Sequence, residues 1–331
     1  MERIQMSDLK PNYELVRQIH MVLVLHFIEG LKQSAIAQKL NLSTSKVNRL
    51  IAQGRKMGMV KIDIESRFQH LMDFENEMVA STSLRGALIT PTVSGNPDTT
   101  LQQVGRAAAN LLVETVRDGD VIAITGGKAI SALVDNLTIE GPLDVTVVPL
   151  TGGVQGKYFT DVNHLATQLA QRLGGKAMLV HAPLFAESSQ QRDMLRKVGP
   201  VREVFDMARQ ANIALVGIGS IEPAESSYFD LHPVPEADRK MLVGMGVVGE
   251  MLAHLIRDSG EVANYALNSR LVALDPVNLA NCGHVIGLAA GQEKVRPIQA
   301  VLNGNYLDSL VLDEETAALV LNNLERSNNV A

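Results

Sequence analysis

Residues 119–128, GDVIAITGGK, decide how the larger part of this chain folds. Val121–Ile124 is a short, wholly apolar run that enters Thr125-Gly126-Gly127, and the helical stretch Ala129–Asn136 follows at once. A buried strand, a glycine turn and a helix make one βα unit. The pattern recurs where Val145–Leu150 meets Thr151-Gly152-Gly153, and where Ile213–Ile218 carries Gly217-Ile218-Gly219-Ser220. Gly86–Thr90, Ala177–His181, Leu271–Ala273 and His284–Ala289 are further strand candidates. Thr99–Val116, Asn163–Leu173, Arg192–Lys197 and Val247–Arg257 are expected to be helices. Strands alternating with helices predict an α/β domain over 86–331, a mostly parallel sheet covered on both faces.

In such a sheet, ligands bind beyond the carboxyl ends of the strands. Glycine lets backbone N–H groups come close to an anion, and a helix N-terminus adds a favourable dipole. Lys128 and Lys294 supply fixed positive charge for the same phosphate. A single glycine turn is usually just a βα connection; three of them point to a phosphorylated-metabolite site. Gly244-Met245-Gly246-Val247-Val248-Gly249 has dinucleotide spacing, but the preceding residues are charged and no acid follows about 20 residues on, so nicotinamide binding is not expected.

Upstream, the pattern changes. Asn12–Glu29 reads as a helix with Leu15, Ile19, Val22, Leu23 and Phe27 inward, and Gly30 stops it. Gln33–Leu40 is a short second helix with Ile36, Ala37 and Leu40 inward. Asn41-Leu42 is a tight turn, and Ser43 caps a third helix to about Met57 that buries Val47, Leu50 and Ile51. Gly58 ends it, and Met59–Ile64 alternates like a strand. This is a winged helix-turn-helix over 1–65, joined through a linker helix at 66–85.

Charge agrees with that division. Residues 1–66 carry ten Lys/Arg and six Asp/Glu, whereas the whole chain has 30 and 36. From Leu31 to Lys61 there are seven basic residues and no acid. Concentrated positive charge on a small module is the electrostatic footprint of a phosphate backbone, since a solvated helical face would mix in acids. Thr44, Ser45, Lys46, Asn48 and Arg49 face outward at the start of the third helix, where they reach base edges in a major groove. Lys56 and Lys61 suit phosphates. The competing reading is a helical bundle that serves assembly alone.

The rest of the composition narrows the classes. Aromatics are 4% of the 331 residues and Trp is absent, which argues against a sugar groove lined with stacking rings. The lone Cys282 rules out an internal disulfide framework and a Cys-rich zinc module. The eight histidines are scattered without ligand spacing, so no metal or other cofactor is expected. The N-terminus is polar and no apolar run reaches the ~20 residues that span a membrane. A cytoplasmic protein is the expectation.

The chain resembles the SorC-type transcriptional regulators, the family that includes sorbose-operon, deoxyribonucleoside and central-glycolytic-gene regulators. The likeness begins with Ala37–Ile64 as the winged helix-turn-helix, where Lys56-Met57-Gly58-Met59-Val60-Lys61-Ile62 resembles the family's passage into the wing, and continues through residues 119–127 and Pro149–Gly153. It takes in Asn163 with Leu169-Ala170 and Leu173-Gly174. Its most specific stretches are Ala289–Lys294, Ile298–Gly304 and Leu312–Ala317. The resemblance implies a C-terminal domain related to sugar-phosphate isomerases, an oligomer (a tetramer or a dimer), and a sugar, polyol or sugar-phosphate effector. It places the effector contacts at Gly126, Gly127, Lys128, Gly152, Gly153, Asn163, Glu250 and Lys294. Many members resemble a Trp-Gly-x-Thr pattern in the first loop, where this chain has Gly126-Gly127-Lys128-Ala129.

The expected function is a regulator that binds a double-stranded operator under the control of that effector. Two other classes stay open on the residues alone. One is a sugar-phosphate isomerase or deaminase with Glu250 as general base; the other is a DNA-binding assembly protein without an effector.

Overall fold

A computed structural model describes residues 13–60, 68–154, 161–222, 228–229 and 234–328. The chain divides into two compact units, Met1–Arg67 and Phe68–Ala331.

In the N-terminal unit, α1 (Tyr13–Leu23) runs into a π turn at Val24–Ile28. The wide turn adds a residue, so Leu25 is buried and Phe27, expected inward, stands 37% exposed. Gly30 follows at φ +69°. Helix α2 (Gln33–Lys39) and helix α3 (Thr44–Lys56) form the helix-turn-helix. Asn41 takes the left-handed conformation between them, φ 52°, as a turn Asn can. The Ser43 side chain accepts from the Lys46 N–H at 3.2 Å and caps α3. Ile19, Val22, Ile36, Ala37, Val47, Leu50 and Ile51 close a small core. A side chain at Gly54 would stand 2.7 Å from Leu23 Cδ1, so glycine is what lets α3 cross α1 closely. Residues 61–64 of the expected wing, Lys61 among them, lie outside the described residues.

The C-terminal unit is built on β1 (Gly86–Thr90), β2 (Val121–Ile124), β3 (Thr146–Pro149), β4 (Lys176–Ala177), β5 (Ile213–Ser220), β8 (His284–Leu288) and β9 (Ser309–Asp313), with β6 (Val247–Met251) and β7 (His254–Arg257) as a hairpin. The parallel order is β1-β9-β8-β5-β2-β3-β4, and β6 pairs antiparallel with the outer end of β5. Side chains alternate between two cores: Ala123, Val148, Ala214, Val216, Leu310 and Leu312 face one, Ile122, Ile124, Val147, Ile213, Leu215 and Val311 the other. The first core is covered by α4 (Gln69–Ser81), α9 (Gly199–Arg209), α12 (Val295–Asn303) and α13 (Glu314–Asn328); the second by α5 (Pro97–Thr115), α6 (Lys128–Asn136) and α7 (Val162–Leu173). Helix α4 packs on β1, and its Glu75 accepts from the Ile89 N–H at 2.9 Å.

Three expectations are corrected. Val247–Arg257 is not a helix but the β6–β7 hairpin, turning at Leu252-Ala253. The segment is apolar almost throughout, so its spacing fits either period; β-branched Val247, Val248 and Ile256 favour strand. Leu271–Ala273 makes isolated bridges, to Phe185 and Thr151, rather than a strand. The Ala177–His181 strand shrinks to Lys176–Ala177. The glycine motif at 244–249 closes α10 (Glu236–Gly244) and opens β6, the reverse of the strand-to-helix order a dinucleotide needs.

Candidate functional site

Helix α3 carries the residues expected to face nucleic acid. With Val47, Leu50, Ile51 and Gly54 turned into the core, Thr44, Ser45, Lys46, Asn48, Arg49 and Lys56 are all exposed. Arg55 lies over the Phe27 ring, 5.5 Å from its centroid, and so is drawn back onto its own unit. Lys39 pairs with Glu29 at 3.5 Å.

The second site lies where the strand order reverses. From β2 the chain goes outward through β3 and β4, then returns to place β5 on the other side of β2. The crevice between the carboxyl ends of β2 and β5 is the topological switch point of the sheet. Thr125, buried at the end of β2, accepts the Gly217 N–H of β5 at 3.0 Å and ties the two strands together there. Gly127, at φ +116°, then starts α6 with Lys128 as its first residue.

Three charged side chains stand at this end. Glu250 on β6 sits in register opposite Gly219 of β5, and a Cβ on Gly219 would overlap its carboxylate. Burial pushes the Glu250 carboxyl up to about 7, against the attraction of Lys294 and the hydrogen bond from the Ala253 N–H to Oε2 at 3.0 Å. Burial draws Lys294 down, Glu293 and Glu250 hold it up, and Lys128 repels it. Lys294 therefore feels both the Glu250 carboxylate and the Lys128 ammonium. A partly desolvated carboxyl beside the Lys294 ammonium can accept hydroxyls, and the Lys294–Lys128 pair can hold an anion.

Gly152, Gly153 and Asn163 make a second group at the neighbouring strand end. The Gly152 N–H donates to Val272 O at 2.7 Å and the Gly153 N–H to Ala182 O at 2.9 Å. A Cβ on Gly152 would sit 2.6 Å from Pro183 O, so close backbone packing accounts for that glycine. The Asn163 amide clasps Val180, donating to its carbonyl and accepting its N–H, both at 3.0 Å. The hydrogen bonds of these groups are spent on the protein itself, so here they serve packing and strand ends.

Sequence reasoning passed over two residues here. Asp313, 1% exposed at the end of β9, accepts from Thr92, Thr316 and the Gly291 N–H, and so fixes the loop that carries Lys294. Tyr228 is buried between Phe185 and Phe229, and the Glu250 charge helps raise its pKa after burial has done so. Tyr228 stands in no motif; Asp313 lies within the family-like stretch Leu312–Ala317, and that stretch was the signal that could have found it.

Among the described residues no helix is long and apolar enough to cross a membrane. Residues 66–322 match the family described as "Putative sugar-binding domain", and residues 18–57 match "Sigma-70, region 4". The chain is 31% identical over 299 residues to the erythritol catabolism regulatory protein EryD of Brucella abortus, covering 90% of this chain and 94% of EryD. It is 28% identical to the transcriptional regulator LsrR of Klebsiella pneumoniae, covering 89% and 90%. The full-length sorbitol operon regulator SorC from Klebsiella pneumoniae has the same fold, with a TM-score of 0.72 at 24% identity over 92% of this chain and 98% of that one.

Proposed function

The chain belongs to the SorC-type family of sugar-binding transcriptional regulators, and from that premise we propose that it sets transcription of a carbohydrate or polyol pathway by binding an operator through α3 under the control of a small effector held at the β2–β5 crevice. The observation that carries the effector reading is that Lys294, near the switch point of the sheet, feels both the desolvated Glu250 and Lys128. Two cations and one carboxyl of raised pKa suit a ligand with hydroxyls at one end and an anionic group at the other, which is a sugar or polyol phosphate. The similarity to a regulator named for erythritol catabolism supports the polyol end of that range.

Lys46, Asn48 and Arg49 are assigned to base edges, with Thr44 and Ser45 beside them, and Lys56 and Lys61 to phosphates. Since recognition helices read DNA in pairs, the working form is a homo-oligomer, a tetramer or a dimer, on a roughly palindromic operator in the cytoplasm. The protein is not an enzyme on this reading: Glu250 is an acceptor for effector hydroxyls, and its neighbours hold rather than turn over the ligand. The relatives it matches are named as regulators, which supports the same choice.

A thermal-shift screen of the full chain against free and phosphorylated sugars and polyols tests the reading. A selective rise in Tm that Lys294→Ala abolishes is the expected result. No rise with any compound, or turnover of a phosphosugar, contradicts it.

A further inference from the structure

The hairpin that brings Glu250 into the crevice turns on two residues that do not suit the turn. Leu252 and Ala253 connect β6 to β7 with φ of 52° and 60°, both left-handed. A two-residue hairpin of this kind ordinarily takes Asn-Gly, because a Cβ is strained at both positions. Something must hold it, and two side chains do so from opposite sides. On the pocket side, Glu250 Oε2 accepts the Ala253 N–H at 3.0 Å. On the other, the His254 ring stands 3.0 Å from the Leu252 carbonyl through Nδ1. A carbonyl oxygen only accepts, so Nδ1 carries the proton and the lone pair lies on Nε2. Nε2 faces Asp275 Oδ1 at 3.7 Å. Burial disfavours the charged imidazole, Arg192 and Arg196 add to that, and Asp275 opposes them. The ring is 6% exposed, and Leu252 is 1% exposed in the main core.

We infer that His254 is a positioning residue for the effector site: its Nδ1–H holds the Leu252 carbonyl, the turn so fixed presents the Ala253 N–H, and that N–H sets the place of the Glu250 carboxylate. His254 reaches the ligand through Glu250 and does not touch it. The inference rests on the proposed effector reading for its consequence, but its tests use the protein without ligand. A chain that binds no sugar would overturn that reading and leave this one to be decided by its own measurements.

The experiment follows the Glu250 carboxyl by carbon-13 NMR across pH in the full chain. His254→Phe keeps a flat ring and loses the donor; His254→Asn places an amide nitrogen where Nδ1 stands. A carboxylate that loses an N–H donor ionises less readily, so the midpoint in H254F is expected to rise by about one pH unit and to return to its wild-type value in H254N. An unchanged midpoint in folded H254F overturns the inference, as does a midpoint that stays raised in folded H254N. Should H254F not fold, the nitrogen-15 spectrum of wild-type His254 decides. The Nδ1–H tautomer is expected, and a proton on Nε2 in the neutral ring overturns the inference.

Discussion

Glu250 is held between opposing influences: burial disfavours its charge, while Lys294 and the Ala253 N–H favour it, and burial prevails to place the carboxyl near 7. In the unfolded chain it ionises in the ordinary range, about 4.3. The folded protein therefore holds a proton that the unfolded chain has released, and stability falls as pH rises from roughly 4.5 to above 7, by on the order of 3 kcal/mol. Glu250→Gln keeps the acceptor for Ala253 and has no proton to lose. Its Tm is expected to exceed that of wild type at pH 8, with the gap closing near pH 5; equal values at both pH would contradict the burial of this group. On α3 the division of labour is equally specific. Arg49→Ala is expected to cost about 1–3 kcal/mol on a preferred sequence and to relax the choice of base at one position. Replacing Lys56 and Lys61 by Ala is expected to weaken all sequences alike and flatten the salt dependence by about one phosphate contact each. Titrations of operator and random duplexes at several salt concentrations separate the two, and an unchanged slope would remove both lysines from the phosphate contacts.

Packing between elements is decided at a few small residues. Helices α5 and α6 approach so closely at Gly105 that a Cβ there would lie 2.5 Å from the carbonyl carbon of Ala132. Gly105→Ala forces the helices apart and is expected to destabilise the protein by about 1–3 kcal/mol in urea unfolding; a loss below about 0.5 kcal/mol would contradict the contact. How far such elements can be read in advance depends on what marks their ends. Strands β2, β3, β5 and β8 were legible because each apolar run stops at a glycine or a polar residue of its own. Strand β9 and helices α12 and α13 were not anticipated: Ile298–Gly304 and Leu312–Ala317 entered only as family likeness, with no period distinct enough to assign an element. The β6–β7 hairpin was misread as a helix because its residues are buried on both sides and lose the alternation that identifies a strand. The site suffered the same limit. The glycine turns announced it, whereas Thr125 on Gly217, Glu250 against Gly219, and Asp313 on Gly291 are contacts between residues 92, 31 and 22 positions apart. No local pattern carries such pairs.

The proposed function gives the two units different partners: DNA for the basic helix α3 of one, a small ligand for the charged strand ends of the other. A ligand changes operator affinity only if it binds the DNA-competent and DNA-incompetent states unequally, and the coupling is reciprocal. Operator DNA must therefore change the effector's affinity by the same factor that the effector changes the operator's. The measurement that bears most directly on the account is the affinity of the full chain for duplexes it selects from a random pool, with and without the compound that raises its Tm. The selected sites are expected to be roughly palindromic, and the compound to shift their Kd by about 5–150-fold, a shift lost in Lys294→Ala while affinity without the compound is kept. A compound that binds the protein and leaves operator affinity unchanged would contradict the account.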